Sequence, residues 1–214
     1  MEREAFLARL RARRMEGGGS RQAVPAAAER NAASTPGAAP ATATAPAPTD
    51  LIKLFVERLT ELGATVEVAA TRQDAREALE RLAGVRGWLH VAAASGLSWP
   101  SSALHWTTEA REAQLGLCEA DWAVAETGAV VVCSSVEVRR GFSLVPPVVA
   151  FFVPVTRIVA ALGDVLRTLS GDGPELPSAV TLISGPSGTS DIAGTHVVGV
   201  HGPGEVFVWA LAGE

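Results

Sequence analysis

Tyrosine is absent from this chain of 214 residues, lysine occurs once, at Lys53, and cysteine only twice, at Cys118 and Cys133. Two cysteines cannot furnish a four-cysteine zinc or iron–sulfur site. So few in a chain this long do not make the disulfide scaffold of a small secreted domain. A single lysine leaves Schiff-base chemistry one candidate, and it is set aside. No apolar run approaches the roughly 18 residues that cross a bilayer. The opening residues, Met1-Glu2-Arg3-Glu4-Ala5-Phe6-Leu7, lack the apolar stretch of a signal peptide. An excess of positive charge is missing too. With 18 basic against 23 acidic side chains, the net charge of -5 gives no electrostatic footprint for nucleic acid. These absences predict a soluble, cytoplasmic protein with no membrane span, no resident metal and no cofactor.

What is present is a core-forming composition, 48% hydrophobic, interrupted by one unusual stretch. Residues 1–15 read as a short helix, with Phe6, Leu7 and Leu10 on one side and arginines around the rest. Residues 16–48 open with Gly17-Gly18-Gly19-Ser20 and carry Pro25, Pro36, Pro40, Pro46 and Pro48 among Ala, Thr and Ser. With no large apolar side chain between Val24 and Leu51, this segment has little to bury and reads as a linker or draped arm. A globular domain is expected over 49–214.

Within it, Leu51, Phe55, Leu59 and Leu62 recur at helical spacing before Gly63, and Thr65–Val68 alternates as a strand. Thr71 and Asp74 have the form of a capping box, opening a helix with Ala75, Ala78, Leu79 and Leu82 on its buried stripe before Gly84. Trp88–Ala92 reads as a buried strand, 95–107 as a loop rich in Ser, Trp and Pro, and Glu109–Leu117 as a helix. Trp122–Ala125 and Ala129–Cys133, separated by Glu126-Thr127-Gly128, predict a tight hairpin with Gly128 at positive φ. Val148–Val153 is an apolar strand, Ile158–Leu169 a helix, and 179–183, 197–200 and 206–211 are strands. The alternation predicts an α/β domain with a mixed, mostly parallel sheet.

Three segments offer chemistry. Ser184-Gly185-Pro186-Ser187-Gly188-Thr189-Ser190-Asp191 follows a buried strand and presents backbone N–H groups and hydroxyls that can hold an anion, or it is an ordinary turn with Ser190 or Asp191 as a cap. It lacks the lysine ending of a P-loop and the spacing of a dinucleotide fingerprint. Glu126 lies between two apolar strands, where partial desolvation would suit a nucleophile or base; the alternative is a turn glutamate in solvent. Arg139 or Arg140 can pair with Glu126 or with a substrate anion, or stand solvated. His201, in Gly199-Val200-His201-Gly202-Pro203, has glycines on both sides that allow close approach. No two of the four histidines share helical i, i+3 or i+4 spacing, which argues against a metal site. The expectation is that these segments meet in one pocket. There the amides of 185–189 and an arginine, Arg140, would hold a carboxylate or phosphate.

Residues 120–131, Ala120-Asp121-Trp122-Ala123-Val124-Ala125-Glu126-Thr127-Gly128-Ala129-Val130-Val131, resemble the "ADxAIAETGT" core of the lactate utilization protein C family, the LUD domain. Ile183–Ile192 resembles that family's "ISGPSRTADIE", and 199–203 its "GVHGP". Arg140-x-x-Ser143-Leu144-x-Pro146, the arginine-rich first helix and the Pro/Ala linker also fit. Three positions depart: Gly188 replaces the family's usual arginine, Ala193 its following glutamate, and Val149 a histidine often seen after the proline pair.

The resemblance implies a three-layer α/β/α sandwich similar to the NagB/RpiA/CoA-transferase-like fold. It also implies an accessory, non-redox role beside iron–sulfur partner proteins in oxidising L-lactate to pyruvate. Thr127, Gly128, Arg140, Ser143, Ser184, Gly185, Ser187, Gly188, Thr189, Asp191, His201 and Gly202 are then the candidate ligand residues. A second reading is an enzyme on the same scaffold, because Ala125-Glu126-Thr127-Gly128 resembles the Ser-Glu-Asn-Gly motif of CoA transferases, which would make Glu126 catalytic.

Overall fold

A computed structural model of the chain describes residues 47–93, 96–135, 139–170, 177–190, 196–198 and 202–213. The helix expected over 1–15, nearly all of the 16–48 segment, and Asp191, Ala193 and His201 lie outside these residues.

Pro48 opens helix α1 (Pro48–Glu61), where its fixed φ suits the first turn and its missing N–H is no loss. Phe55 and Leu59 on its inner face are fully buried, and the helix gives way at Leu62 to Gly63, at φ 90°. Strand β1 (Thr65–Ala69) follows. Helix α2 (Arg72–Arg86) starts on the expected capping box: the Asp74 N–H donates to Thr71 Oγ1, and the Thr71 N–H donates to Asp74 Oδ2. It runs past Gly84, the expected end, to Gly87, which takes the left-handed cap at φ 70°.

The remaining strands are β2 (His90–Ala93), β3 (His105–Thr107), β4 (Leu115–Glu119), β5 (Trp122–Val124), β6 (Ala129–Cys133), β7 (Val148–Pro154), β8 (Ile158–Val159), β9 (Val180–Ile183), β10 (Gly188–Ser190), β11 (His196–Val198) and β12 (Glu205–Leu211). Six of them form a wholly parallel sheet in the order β1-β12-β7-β4-β2-β3. A second sheet, β8-β5-β6-β9, is mixed, and β10 with β11 makes an antiparallel ribbon. The architecture is the α/β fold expected, with the mixed character carried by a separate small sheet. Helix α2 packs on β1 and β12, and α1 on β1 and β8. Short helices α3 (Gly141–Leu144) and α4 (Leu162–Ser170) pack on β4 and β7 and on β8 respectively. Every residue of β7 is buried, as a central parallel strand covered on both faces must be.

Two expected helices change. Glu109–Leu117 is not helical: 109–114 turns, and Leu115–Glu119 is the buried strand β4. A run as short as Leu115-Gly116-Leu117-Cys118 does not distinguish helix from buried strand by its pattern, and the surroundings decide. Neighbours β2 and β7 supply hydrogen bonds on both sides, and Gly116 lets the backbone of Phe142 come close. Ile158 and Val159, expected to begin a helix, pair instead with Ala123 and Val124. The helix begins only at Leu162. Among the described residues no helix is long and apolar enough to cross a membrane.

Candidate functional site

The hairpin forms as expected, with Gly128 at φ 61° closing the turn between β5 and β6. Its tip is tied down on two sides. The N–H groups of Ala125 and Glu126 donate to the carbonyls of Val159 and Ala160, at 2.9 and 3.1 Å. Glu126 itself is exposed, so the desolvated carboxylate expected between two apolar strands is not found. Its Oε1 accepts the N–H of Leu162 at 2.8 Å, at the first turn of α4, where a free N–H and the helix dipole favour an anion. Neither Arg139 nor Arg140 is paired with it among the described residues; both are exposed.

The base of the hairpin is held by Asp121, which the motif contained but residue-by-residue reading passed over. Its Oδ2 accepts the N–H of Cys133 at 2.6 Å, and its own N–H donates to Val131. Burial pushes its carboxyl above the ordinary aspartate value, against the lowering effects of the Cys133 N–H and of Arg157. Asp164, one turn into α4, is lowered by the Ala161 N–H that it accepts and by Arg167.

The Ser184–Ser187 segment lies beside this hairpin. Strand β9 pairs with β6, Ile183 opposite Val130, and the chains beyond that pair both press on the last turns of α1. A Cβ on Gly128 would fall 2.7 Å from the N of Leu59, and one on Gly185 (φ 132°) would fall 2.6 Å from the carbonyl oxygen of Leu62. Pro186 sits against Gly63. The Ser187 N–H donates to the carbonyl of Pro203 at 2.8 Å, and a Cβ on Gly202 would lie 3.1 Å from that of Ser187. Gly204 in turn donates to Pro147 at 2.8 Å, at the end of the segment that carries Arg140 and Ser143. Ser143 is buried, and its hydroxyl donates to the Arg140 carbonyl at 3.2 Å.

The motif segments therefore form one continuous belt of backbone contacts. The belt lies along the amino end of the parallel sheet, because Pro147 and Gly204 immediately precede β7 and β12, and Gly63 stands two residues before β1. Ser184–Ser187 does follow the end of a strand, β9, but that strand belongs to the small mixed sheet and not to the parallel one. Gly188 and Thr189 begin the β10–β11 ribbon rather than a capped helix. The Ser187 amide, engaged by Pro203, is not free for an anion. Val149, where the family often has histidine, is fully buried in β7.

Both thiols are poor nucleophiles. Cys118 is buried in β4 and its pKa is pushed up to about 12 by burial; Cys133 rises to about 11 through burial and the neighbouring Asp121. Iodoacetamide at about pH 8 should leave both unmodified in the native protein and label both in urea, read by mass spectrometry. Rapid native labelling of Cys118 would contradict its placement in β4.

An α/β fold of this kind has a solved counterpart. A crystal structure of a DUF162 family protein from Deinococcus radiodurans superposes with a TM-score of 0.62, covering 78% of this chain and 99% of that one at 18% identity. That likeness is one of fold. The LUD domain profile matches residues 84–210, more than half of the chain, and the chain belongs to the LUD domain family. Proteins named lactate utilization protein C from Halalkalibacterium halodurans and Bacillus subtilis are 39% and 37% identical to it over 98 residues each. The uncharacterized protein YkgG of Escherichia coli is 38% identical over 99 residues. These alignments take in 44 to 45% of this chain and 41 to 43% of the relatives, so the matched part is less than half the length of each.

Proposed function

We propose that this protein is an accessory, non-redox component of an L-lactate to pyruvate oxidation system, and that its amino-edge belt is where partner proteins dock. The observation that carries the reading is the convergence of the family's motif segments, 125–128, 184–187 and 202–204, on one continuous surface. Their glycines bring backbone against backbone, which suits a shaped, rigid face more than an open pocket, and Thr127 and Ser184 project from it into solvent. The names of the relatives supply lactate as the physiological context. Electron carriage would fall to iron–sulfur partners, since two cysteines cannot hold a four-cysteine cluster.

Cells lacking the gene should lose growth on L-lactate and keep growth on pyruvate. Re-expressed wild-type protein should restore lactate growth, whereas Thr127→Arg and Ser184→Arg, on exposed positions, should fold normally yet fail to restore it. Normal lactate growth of the deletion strain would end the lactate assignment. Full rescue by both arginine variants would end the docking assignment.

A further inference from the structure

Open α/β sheets bind ligands outside the carboxyl ends of their strands, where neighbouring strands send their chains in opposite directions. In this sheet that point lies between β2 and β4. The chain after β2 passes outward to the edge strand β3, and the chain after β4 passes the other way, toward β7. Beside this sheet, between the first half of α2, which follows the carboxyl end of β1, and residues 99–100, in the connection from β2 to β3, is a cleft of about 330 Å³ lined by Gln73, Arg76, Glu77, Glu80, Trp99 and Pro100.

One wall is rigid and aromatic. The Trp99 indole N–H donates to Glu80 Oε1 at 2.8 Å, and the Trp99 carbonyl accepts the Trp106 indole N–H at 2.8 Å. The Trp99 ring meets Trp106 edge-on at 4.7 Å and stacks on Phe152 at 6.4 Å. The other wall is one face of α2, with Gln73, Arg76, Glu77 and Glu80 at helical spacing. Arg76 lies with its guanidinium 5.1 Å from the centre of the Trp99 ring. Its neighbours are engaged elsewhere: Glu77 accepts from Gln73 and faces Arg81, and Glu80 holds the indole. Among the described residues no carboxylate pairs with Arg76, and its Nε, shielded from solvent, has no acceptor. A half-buried cation fixed on an aromatic face and short of acceptors is a carboxylate receptor in waiting.

We propose that this cleft binds a free α-amino acid with an apolar side chain. Arg76 takes the carboxylate, Glu80 takes the ammonium, and Trp99 with Pro100 covers the side chain. The charge balance selects the zwitterion. With Glu77 offset by Arg81, the cleft presents one cation and one anion, which a simple carboxylate or a simple amine would each leave half unmet. The volume, of the size usual for small-molecule sites, accommodates a medium side chain. This site is separate from the amino-edge belt and does not depend on the docking role.

The chain has no tyrosine and five tryptophans, so its intrinsic emission is that of tryptophan, and the part contributed by Trp99 is the part a ligand in this cleft should change. Titrating the full chain with L-leucine, L-methionine and L-phenylalanine should give a saturable emission change and raise Tm for at least one of them. For L-leucine, 4-methylpentanoate lacks the ammonium and 3-methylbutylamine lacks the carboxylate; each should bind at least about tenfold more weakly, as loss of one charge-assisted pair requires. Arg76→Met and Glu80→Gln should weaken binding by a similar factor while the unliganded Tm stays within a few degrees of wild type. Absence of any saturable response to the three amino acids overturns the proposal. So does 4-methylpentanoate binding as tightly as L-leucine, which would make the cleft a plain carboxylate site, and so does undiminished binding by Arg76→Met.

Discussion

Gly116→Ala should destabilise the protein by about 3 kcal/mol or more, although it adds a single methyl group. A Cβ at this position would sit 1.9 Å from the carbonyl oxygen of Phe142 and 3.1 Å from Pro146 Cγ. The φ of Gly116 is not in the left-handed region, so the effect is one of space and not of backbone preference. Neither side can yield easily. Strand β4 is hydrogen-bonded to β2 and to β7, and α3 is followed after Val145 by Pro146 and Pro147, which lead into β7. In a domain of this size the loss corresponds to a fall in Tm of roughly 6–12 °C. Gly84→Ala is the control, because nothing lies within 4 Å of a Cβ there and the site is inside α2. It should be neutral or stabilise by about 0.5–1 kcal/mol. A Gly116→Ala protein melting within about 2 °C of wild type would show that α3 is not seated on β4 as described.

Phe152→Ala should cost about 3–5 kcal/mol, the range for removing a fully buried aromatic ring. Phe152 is inaccessible to solvent in the middle of the parallel sheet. Its ring meets Trp209 edge-on at 6.1 Å and stacks on Trp99, and the Arg72 guanidinium lies 5.9 Å from its centre. The loss is therefore felt on both sides of β7. Phe152→Leu, which keeps most of the volume, should cost less than about 1.5–2 kcal/mol. Urea unfolding followed by tryptophan emission measures both. Equal stability of the two variants would mean that the cavity collapses around alanine.

Much of the fold could be read from local pattern because the determining contacts are local. Thr71 and Asp74 cap the same helix turn, and Glu126-Thr127-Gly128 is too short a link between two apolar strands to be anything but a tight turn. Strand β4 was not legible, since its identity as strand depends on Gly116 meeting Phe142, a residue remote in sequence. The candidate site shows the same division. The motif residues could be named from the sequence, but which end of the parallel sheet they occupy depends on β9 pairing with β6 in a separate sheet, and no periodicity states that. Glu126 illustrates it at one side chain: its apolar flanks suggested burial, yet the acceptor role at Leu162 is set by where α4 begins. Arg76 reads as an ordinary exposed helix position and Trp99 as a loop residue. Only their stacking makes a receptor of them.

The pairing of β1 with β12 has a consequence for how the molecule comes into being. The first strand among the described residues is a sheet edge, and its hydrogen-bonded neighbour, register Thr65 with Phe207, is β12, the last of the strands described. During synthesis β1 therefore waits, unpaired with β12, until residues 205–211 have left the ribosome, and the parallel sheet cannot close earlier. Closing so long a loop is slow, because its entropy must be met before any contact rewards it. Until then the alternating edge of β1 is open to strands of other chains. Refolding should thus be limited by docking of residues 205–211. Yield should fall with rising protein concentration, and a chain truncated before Glu205 should accumulate as aggregate.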